Sequence, residues 1–287
     1  MSKGALIYAY NNGEFNYLKM ADVAAGMVRS QLGVSTTIVT DSLSLLATDV
    51  KFADAVIVEE SSSNNHRTFR LPEGNVSMPW YNQNRGTAYD LSPYDQTLLL
   101  DSDYMCSSES LRNVFDSTHT FLCFNRAEDV TGQNSLDSDA SVSKNGIPML
   151  WATVMYFTRS DFNRQLFEMM NLVRDNYEYY SKLYGFAARP YRNDYALSIA
   201  HHTLSGYQQG RTDHFGWALP TLPSQATISK FIGARLMGCE YTVSYNTVNG
   251  PRHSFFRNRD LHIMNKRVFS DNAIVGEFER HIDAWLK

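Results

Sequence analysis

Cysteine is scarce: Cys106, Cys123 and Cys239 are the only three in 287 residues, and none has the short spacing of a metal knuckle. That argues against a disulfide framework and a cysteine-ligated zinc site, and leaves the three as core or boundary residues. Long apolar runs are missing too. No stretch approaches the ~18 apolar residues that cross a bilayer. The opening MSKGALIYAY enters a strand-like run without a signal peptide's charged-then-apolar pattern, so a cytoplasmic location is expected. Internal repeats are absent, and Tyr10-Asn11-Asn12-Gly13-Glu14 after the first strand is not a glycine-rich phosphate loop, which argues against a sugar nucleotidylyltransferase.

What remains is an ordinary globular composition. Hydrophobic residues make up 43% and charged residues 20%, enough for one α/β core over residues 1–287. The net charge of −4 hides an asymmetry, because residues 189–267 hold ten Lys/Arg against four Asp/Glu. An anion-facing C-terminal half is consistent with that local excess, as are scattered surface charges.

Alternating patterns run along the chain. Ala5–Tyr10 reads as a buried strand, Asn16–Leu32 as a helix, and Thr36–Val39 and Ala55–Val58 as further strands. Residues 59–84 read as a polar, irregular connection with an aromatic stretch at Trp80 and Tyr81; Arg85–Leu91 reads as helical and Gln96–Leu100 as a short buried strand. Thr120–Phe124 and Trp151–Phe157 suit strands, residues 125–145 a loop, and Phe162–Lys182 one helix. Asn193-Asp194 reads as the capping sequence of a helix to Leu204, and Ala273–Leu286 as a closing amphipathic helix. The expected fold is α/β, a mostly parallel sheet flanked by helices, with ligands at the carboxyl ends of the strands.

Asp101-Ser102-Asp103 stands at such an end. Alternate carboxylates after a buried strand can hold a hard divalent cation and leave positions for diphosphate oxygens. Asp137-Ser138-Asp139 repeats the triplet inside a polar loop and reads as a solvated turn.

The run YDQTLLLDSDYM, from Tyr94 to Met105, resembles the GT-A glycosyltransferases, especially the family 8 type. The resemblance implies a GT-A (Rossmann-like) sheet, with Asp101 and Asp103 holding Mn²⁺ (or Mg²⁺) on the diphosphate of a UDP-sugar donor. Ser102 lies beside the donor, and Arg85 fits an upstream cation that positions it. A late family motif, His-x-x-Gly-x-Lys, is resembled by His262-Ile263-Met264-Asn265-Lys266, which implies His262 as third ligand and Lys266 on the phosphates. Asn265 stands in place of the glycine. Tyr10 and Asn11 after the first strand and Asp41 after the second resemble base and ribose contacts, with Tyr10 available to stack on a pyrimidine. Asn193 and Asp194 occupy the position of the catalytic group, Asp194 as general base in an inverting enzyme or either as a stabiliser of cationic sugar in a retaining one; a plain N-cap role for Asp194 is the alternative. The donor part is expected over residues 1–124 and the acceptor part over 146–287.

With KGALIYAYNN and RNDYALSIA, the pattern also looks like small glycosyltransferases of tailed bacteriophages, some of which modify 5-hydroxymethylated pyrimidines in their own DNA. That implies DNA as acceptor in an infected host cell, with Arg189, Arg192, Arg252, Arg257 and Arg259 as a basic rim. A glycan, lipid-linked sugar or protein acceptor needs no such rim, and a non-catalytic binding module is the remaining alternative. His201, His202, His214 and His253 receive no role, and Trp217 reads as a core aromatic.

Overall fold

The computed structural model describes residues 1–59, 66–71, 74–79, 84–134, 141–143, 146–186, 189–208, 212–234 and 238–287. Trp80, Tyr81 and the triplet Asp137-Ser138-Asp139 lie outside the described residues.

The chain opens with β1 (Lys3–Tyr8), α1 (Tyr17–Leu32), β2 (Ser35–Thr40), a short α2 (Ser42–Leu46) and β3 (Ala55–Val58). Gly4 to Tyr8 are all buried, as both covered faces of a parallel strand require. Gly4 is needed for a further reason: a Cβ there would stand 2.3 Å from the Tyr94 ring. Helix α1 starts where the Asn16 side chain accepts the Lys19 N–H at 2.8 Å, and stops at Gly33, whose φ of 70° ends the helix in the left-handed region.

A hairpin of β4 (His66–Leu71) and β5 (Gly74–Pro79) follows, then α3 (Ala88–Leu91), β6 (Gln96–Asp101), β7 (Tyr104–Met105), β8 (Phe121–Phe124), β9 (Ala127–Asp129) and β10 (Trp151–Thr158). The hairpin corrects the reading of 59–84 as wholly irregular, and β9 does the same for 125–145. Both were hidden because partner strands, β5 antiparallel to β4 and the later strand Leu219–Leu222 parallel to β9, supply order that polar composition does not show. Next come α4 (Asp161–Asp175) and α5 (Tyr177–Leu183), two helices rather than the single one expected, parted at Asn176, whose φ of −114° leaves the helical region. Helix α6 (Asn193–Leu204) precedes β11 (Leu219–Leu222), β12 (Thr227–Ala234), β13 (Gly238–Thr247), β14 (Gly250–Arg257), β15 (Leu261–Ile263) and α7 (Asn272–Leu286).

The main sheet has the order β3-β2-β1-β6-β10-β8. Its first four strands run parallel, and β10 is antiparallel to both neighbours. The architecture is therefore mixed α/β with a mostly parallel central sheet and flanking helices. A second sheet, β7-β15-β11-β9, places two chain-distant segments side by side: Leu261 faces Met105 and His262 faces Tyr104. Strands β12 to β14 form a third, antiparallel sheet. Its Phe231 packs on Phe278 of α7 at 4.6 Å between centroids, and Ile282 of α7 closes on Gly26 of α1. The buried apolar residues form one cluster reaching from Ala5 to Ile282, and all three cysteines are free and buried.

Asp22, inside α1, is buried and its carboxylate accepts the backbone N–H groups of Lys51, Phe52 and Ala53 at 3.0, 2.7 and 3.1 Å. These bonds fix the connection into β3. Asp22→Ala strips three backbone donors, the Phe52 N–H among them buried, of their acceptor, and a loss of roughly 2 kcal/mol in urea unfolding is expected. A loss below about 0.5 kcal/mol, the level of ordinary surface changes, would contradict the role.

Candidate functional site

The carboxyl edge of the parallel strands collects polar groups from separate loops. Strand β6 is buried from Thr97 to Leu100 and delivers Asp101; the turn at Ser102 then carries Asp103 into β7. Ser102 and Asp103 are both buried. On the paired strand β15, His262 points Nε2 to within 3.6 Å of Asp103 Oδ2. One ligating atom from each of Asp101, Asp103 and His262 lies within 4.8 Å of the others, a grouping compatible with a metal ion.

Two cations brace the carboxylates. Arg85, in the 3-10 turn Asn84–Thr87, is 1% exposed and donates Nη1 to Asp101. Its Nε and Nη2 have no partner among the described residues. Lys266, opening the 3-10 turn Lys266–Ser270, donates to Asp103 and also lies 3.4 Å from the carbonyl of Ile263. Burial pushes its ammonium down to about 8, against the charge of Asp101. Burial also lowers the His262 imidazole, with Arg192 and Arg85 acting the same way and Asp101 and Asp194 opposing. A neutral imidazole beside two carboxylates is a donor set for a divalent ion, and the residues fit one. The His262 Nδ1 has no hydrogen-bond partner among the described residues.

Asn265, where the resemblance implied glycine, has a φ of −79°, so no left-handed conformation is required there. Its side chain accepts from Arg267 N–H at 3.2 Å and donates to the Ala226 carbonyl at 2.8 Å, tying the Lys266 turn to β12's approach.

The loops after β1 and β2 are internally committed. Tyr10 is 4% exposed and its hydroxyl donates to Glu59 at 3.2 Å, so its ring belongs to the core rather than standing free to stack. Asn11 accepts the Leu18 N–H at 2.9 Å and donates to Thr48 Oγ1 at 3.1 Å. Asp41 caps α2, accepting the Ser44 N–H at 2.6 Å. Glu59 follows β3 at the same edge, and burial raises its carboxyl above the usual range. Sequence reasoning passed over Glu59, although the logic that picked Asp41, a carboxylate straight after a parallel strand, also applies to it.

At the start of α6 the N-cap is Arg192, not Asn193 or Asp194, and its side chain makes no capping bond. The carboxylate of Asp194 instead accepts the Ala152 N–H at 2.8 Å and pairs with Arg192 at 2.8 Å. The capping alternative is thereby corrected: Asp194 ties α6 to the start of strand β10. Asn193 accepts the Tyr191 hydroxyl at 3.1 Å. The Arg192 guanidinium lies over the Trp151 and Tyr195 rings at 5.5 and 5.4 Å.

The arginines of the expected basic rim are largely engaged. Arg192 pairs with Asp194, Arg257 with Glu240 at 3.5 Å, and Arg259 with Glu128. Arg189 donates to the Tyr195 hydroxyl at 3.2 Å, and Arg252 is exposed on β14. Trp217 packs on Phe215 and Phe124 yet keeps 38% exposure. No helix among the described residues is long and apolar enough to cross a membrane.

No protein-family profile matches the sequence. No curated protein matches it either. Among solved structures, the chain is similar to the galactosyltransferase LgtC in complex with donor and acceptor sugar analogues, at 14% identity and a TM-score of 0.43 over 68% of this chain and 69% of that one. It is similar to the glycosyltransferase GlyE of Streptococcus pneumoniae TIGR4 at 12% identity and 0.40, over 74% and 45%. Mouse xyloside xylosyltransferase 1 gives 13% and 0.41, over 71% and 83%. These overlaps are partial.

Binding of Mn²⁺ to the folded state alone is expected to raise the unfolding midpoint, by a free energy of about 2.7 kcal/mol at a hundredfold excess over Kd. Asp103→Asn should abolish the rise in a thermal-shift titration; an equal rise in that variant would place the metal elsewhere.

Proposed function

We propose that this chain is a metal-dependent glycosyltransferase that moves a sugar from a nucleotide-diphosphate donor, with UDP favoured, to an acceptor hydroxyl. The observation that carries the reading is the charge arrangement. Asp101, Asp103 and His262 converge on one ligating volume, while buried Arg85 and half-buried Lys266 supply two positive charges at its wall. A divalent cation would satisfy the carboxylates and release both cations toward a diphosphate, whose charge they match. Arg85 still has two buried donors without partners, which an anion would satisfy. When bound, the cation supplies Lewis acidity to the departing diphosphate.

Arg85 and Lys266 then hold the phosphates, with Ser102 beside them. Tyr10, Asn11 and Asp41 shape the nucleoside side of the same edge, the first two by positioning its loops. Asp194 and Asn193, at the start of α6, are the candidate catalytic groups: the Asp194 charge opposes the lowering of the His262 imidazole, and its carboxylate is held in place by Ala152 and Arg192. This assigns the donor to residues 1–124 and the acceptor to 146–287, with His262 and Lys266 reaching across from the second part.

For the acceptor, the excess of Lys/Arg over residues 189–267 supports DNA carrying a 5-hydroxymethylated pyrimidine. The pairing of Arg192, Arg257 and Arg259 with carboxylates favours the other reading, a glycan, lipid-linked sugar or protein.

Asp103→Ala is expected to remove Mn²⁺-dependent consumption of UDP-sugars while circular dichroism stays unchanged; full turnover would overturn the metal assignment. Asp194→Asn, which keeps the shape, should lower kcat by about 10² or more with donor KM nearly unchanged. Unchanged kcat would leave Asp194 as a tie between α6 and β10 only. For the acceptor, nucleosides from hydroxymethylated DNA are weighed after incubation with Mn²⁺ and a panel of UDP-sugars. A sugar-sized gain absent from unmodified DNA supports DNA; UDP release without a nucleoside gain moves the acceptor to the other class.

A further inference from the structure

Asp103 and His262 belong to segments more than 150 residues apart in the chain, and β7, the strand that joins them, has only two residues. Two cross-strand pairs, Met105 with Leu261 and Tyr104 with His262, make a short ladder. A ladder this short is marginal by itself, and a slip of one residue would turn His262 to the opposite face.

The residue before β15 supplies what the ladder lacks. Asp260 is buried, and its Oδ1 accepts the backbone N–H groups of Ser107 and Ser108 at 2.8 Å each. Its Oδ2 accepts the Tyr104 hydroxyl at 3.0 Å. Around it, the Arg259 carbonyl accepts from Tyr241 at 2.9 Å and from the Ser107 hydroxyl, and the Ile263 N–H reaches the Asp103 carbonyl at 2.9 Å.

We propose that Asp260 is a positioning residue for the metal site, one carboxylate that clamps residues 104–108 onto 259–263 and so sets the separation of Asp103 and His262. The inference rests on the metal-binding reading of those residues. Asp260 touches neither metal nor donor; it acts through the backbone that carries two of the three ligands. Partners that hydrogen-bond a metal ligand directly change metal affinity about 10- to 100-fold when removed, and a clamp on the backbone that carries two ligands is expected at the lower end of that range.

Two variants probe the clamp. Asp260→Asn keeps the volume and one acceptor oxygen but sets an amide against the Tyr104 hydroxyl, and Tyr104→Phe removes that single bond without touching Asp260. Mn²⁺ binding to each purified protein is read by electron paramagnetic resonance, beside its unfolding midpoint. The expected result is a Mn²⁺ affinity about tenfold or more weaker in Asp260→Asn and several-fold weaker in Tyr104→Phe. Both should remain folded at the temperature of the measurement. Variants with lowered midpoints but wild-type affinity in the folded protein would reduce Asp260 to a structural role and overturn the proposal. If Asp260→Asn does not fold, Tyr104→Phe decides by the same criterion. A wild-type protein that binds no Mn²⁺ would overturn the metal reading itself and this inference with it, whereas wild-type binding with unchanged variants overturns this inference alone.

Discussion

Two carboxylates held close together repel each other, and a buried guanidinium without a counter-charge is equally costly. The architecture around residues 101–103 answers both constraints at once, with Arg85 against Asp101 and Lys266 against Asp103. The rest of the structure can be understood as the means of bringing these four groups, and His262, to one place. Neither ion pair is optimised for stability: Arg85 keeps two buried donors unpartnered, and burial draws the Lys266 ammonium down toward about 8. A site that is balanced in charge yet short of acceptors suits exchange of partners better than permanence.

Parallel pairing of β3, β2, β1 and β6 makes the first part of that arrangement, since every strand then ends on the same edge and releases its polar residues there. The second part comes from the other end of the chain. Strand β15 returns to lie beside β7, and the turn after it presents Lys266. Helix α7 then packs through Phe278 and Ile282 against β12 and α1, tying the C-terminal sheet to the first βα unit. The candidate site is thus shared between halves that no local sequence pattern joins.

Much of the main sheet was legible in the sequence because β1, β2, β6, β8 and β10 are largely buried on both faces and read as short apolar runs. Helix α1 was equally plain, with Asn16 at one end and Gly33 at the other. The hairpin at 66–79 and the strand at 127–129 were not legible, because their order comes from distant partners rather than from composition. The break at Asn176 was missed for a related reason: the apolar spacing carries on through both helices. At the site, Asp101 and Asp103 announce themselves by a triplet at a strand end. Glu59 and Asp260 do not, since single carboxylates gain meaning only from what the fold sets against them. Asp194 shows the opposite error: a residue typical of helix caps that serves instead as an acceptor for Ala152 and Arg192.

On the proposed reading, one divalent cation and one nucleotide diphosphate share the volume bounded by Asp101, Asp103, His262, Arg85 and Lys266. Calorimetric titration of Mn²⁺ in the absence and presence of saturating UDP tests it directly, together with the reverse titration of UDP with and without Mn²⁺. Each ligand is expected to tighten the other, and by the same factor, as linkage requires. Affinities that are independent of each other, or a UDP affinity unaffected by removal of the metal, would contradict it.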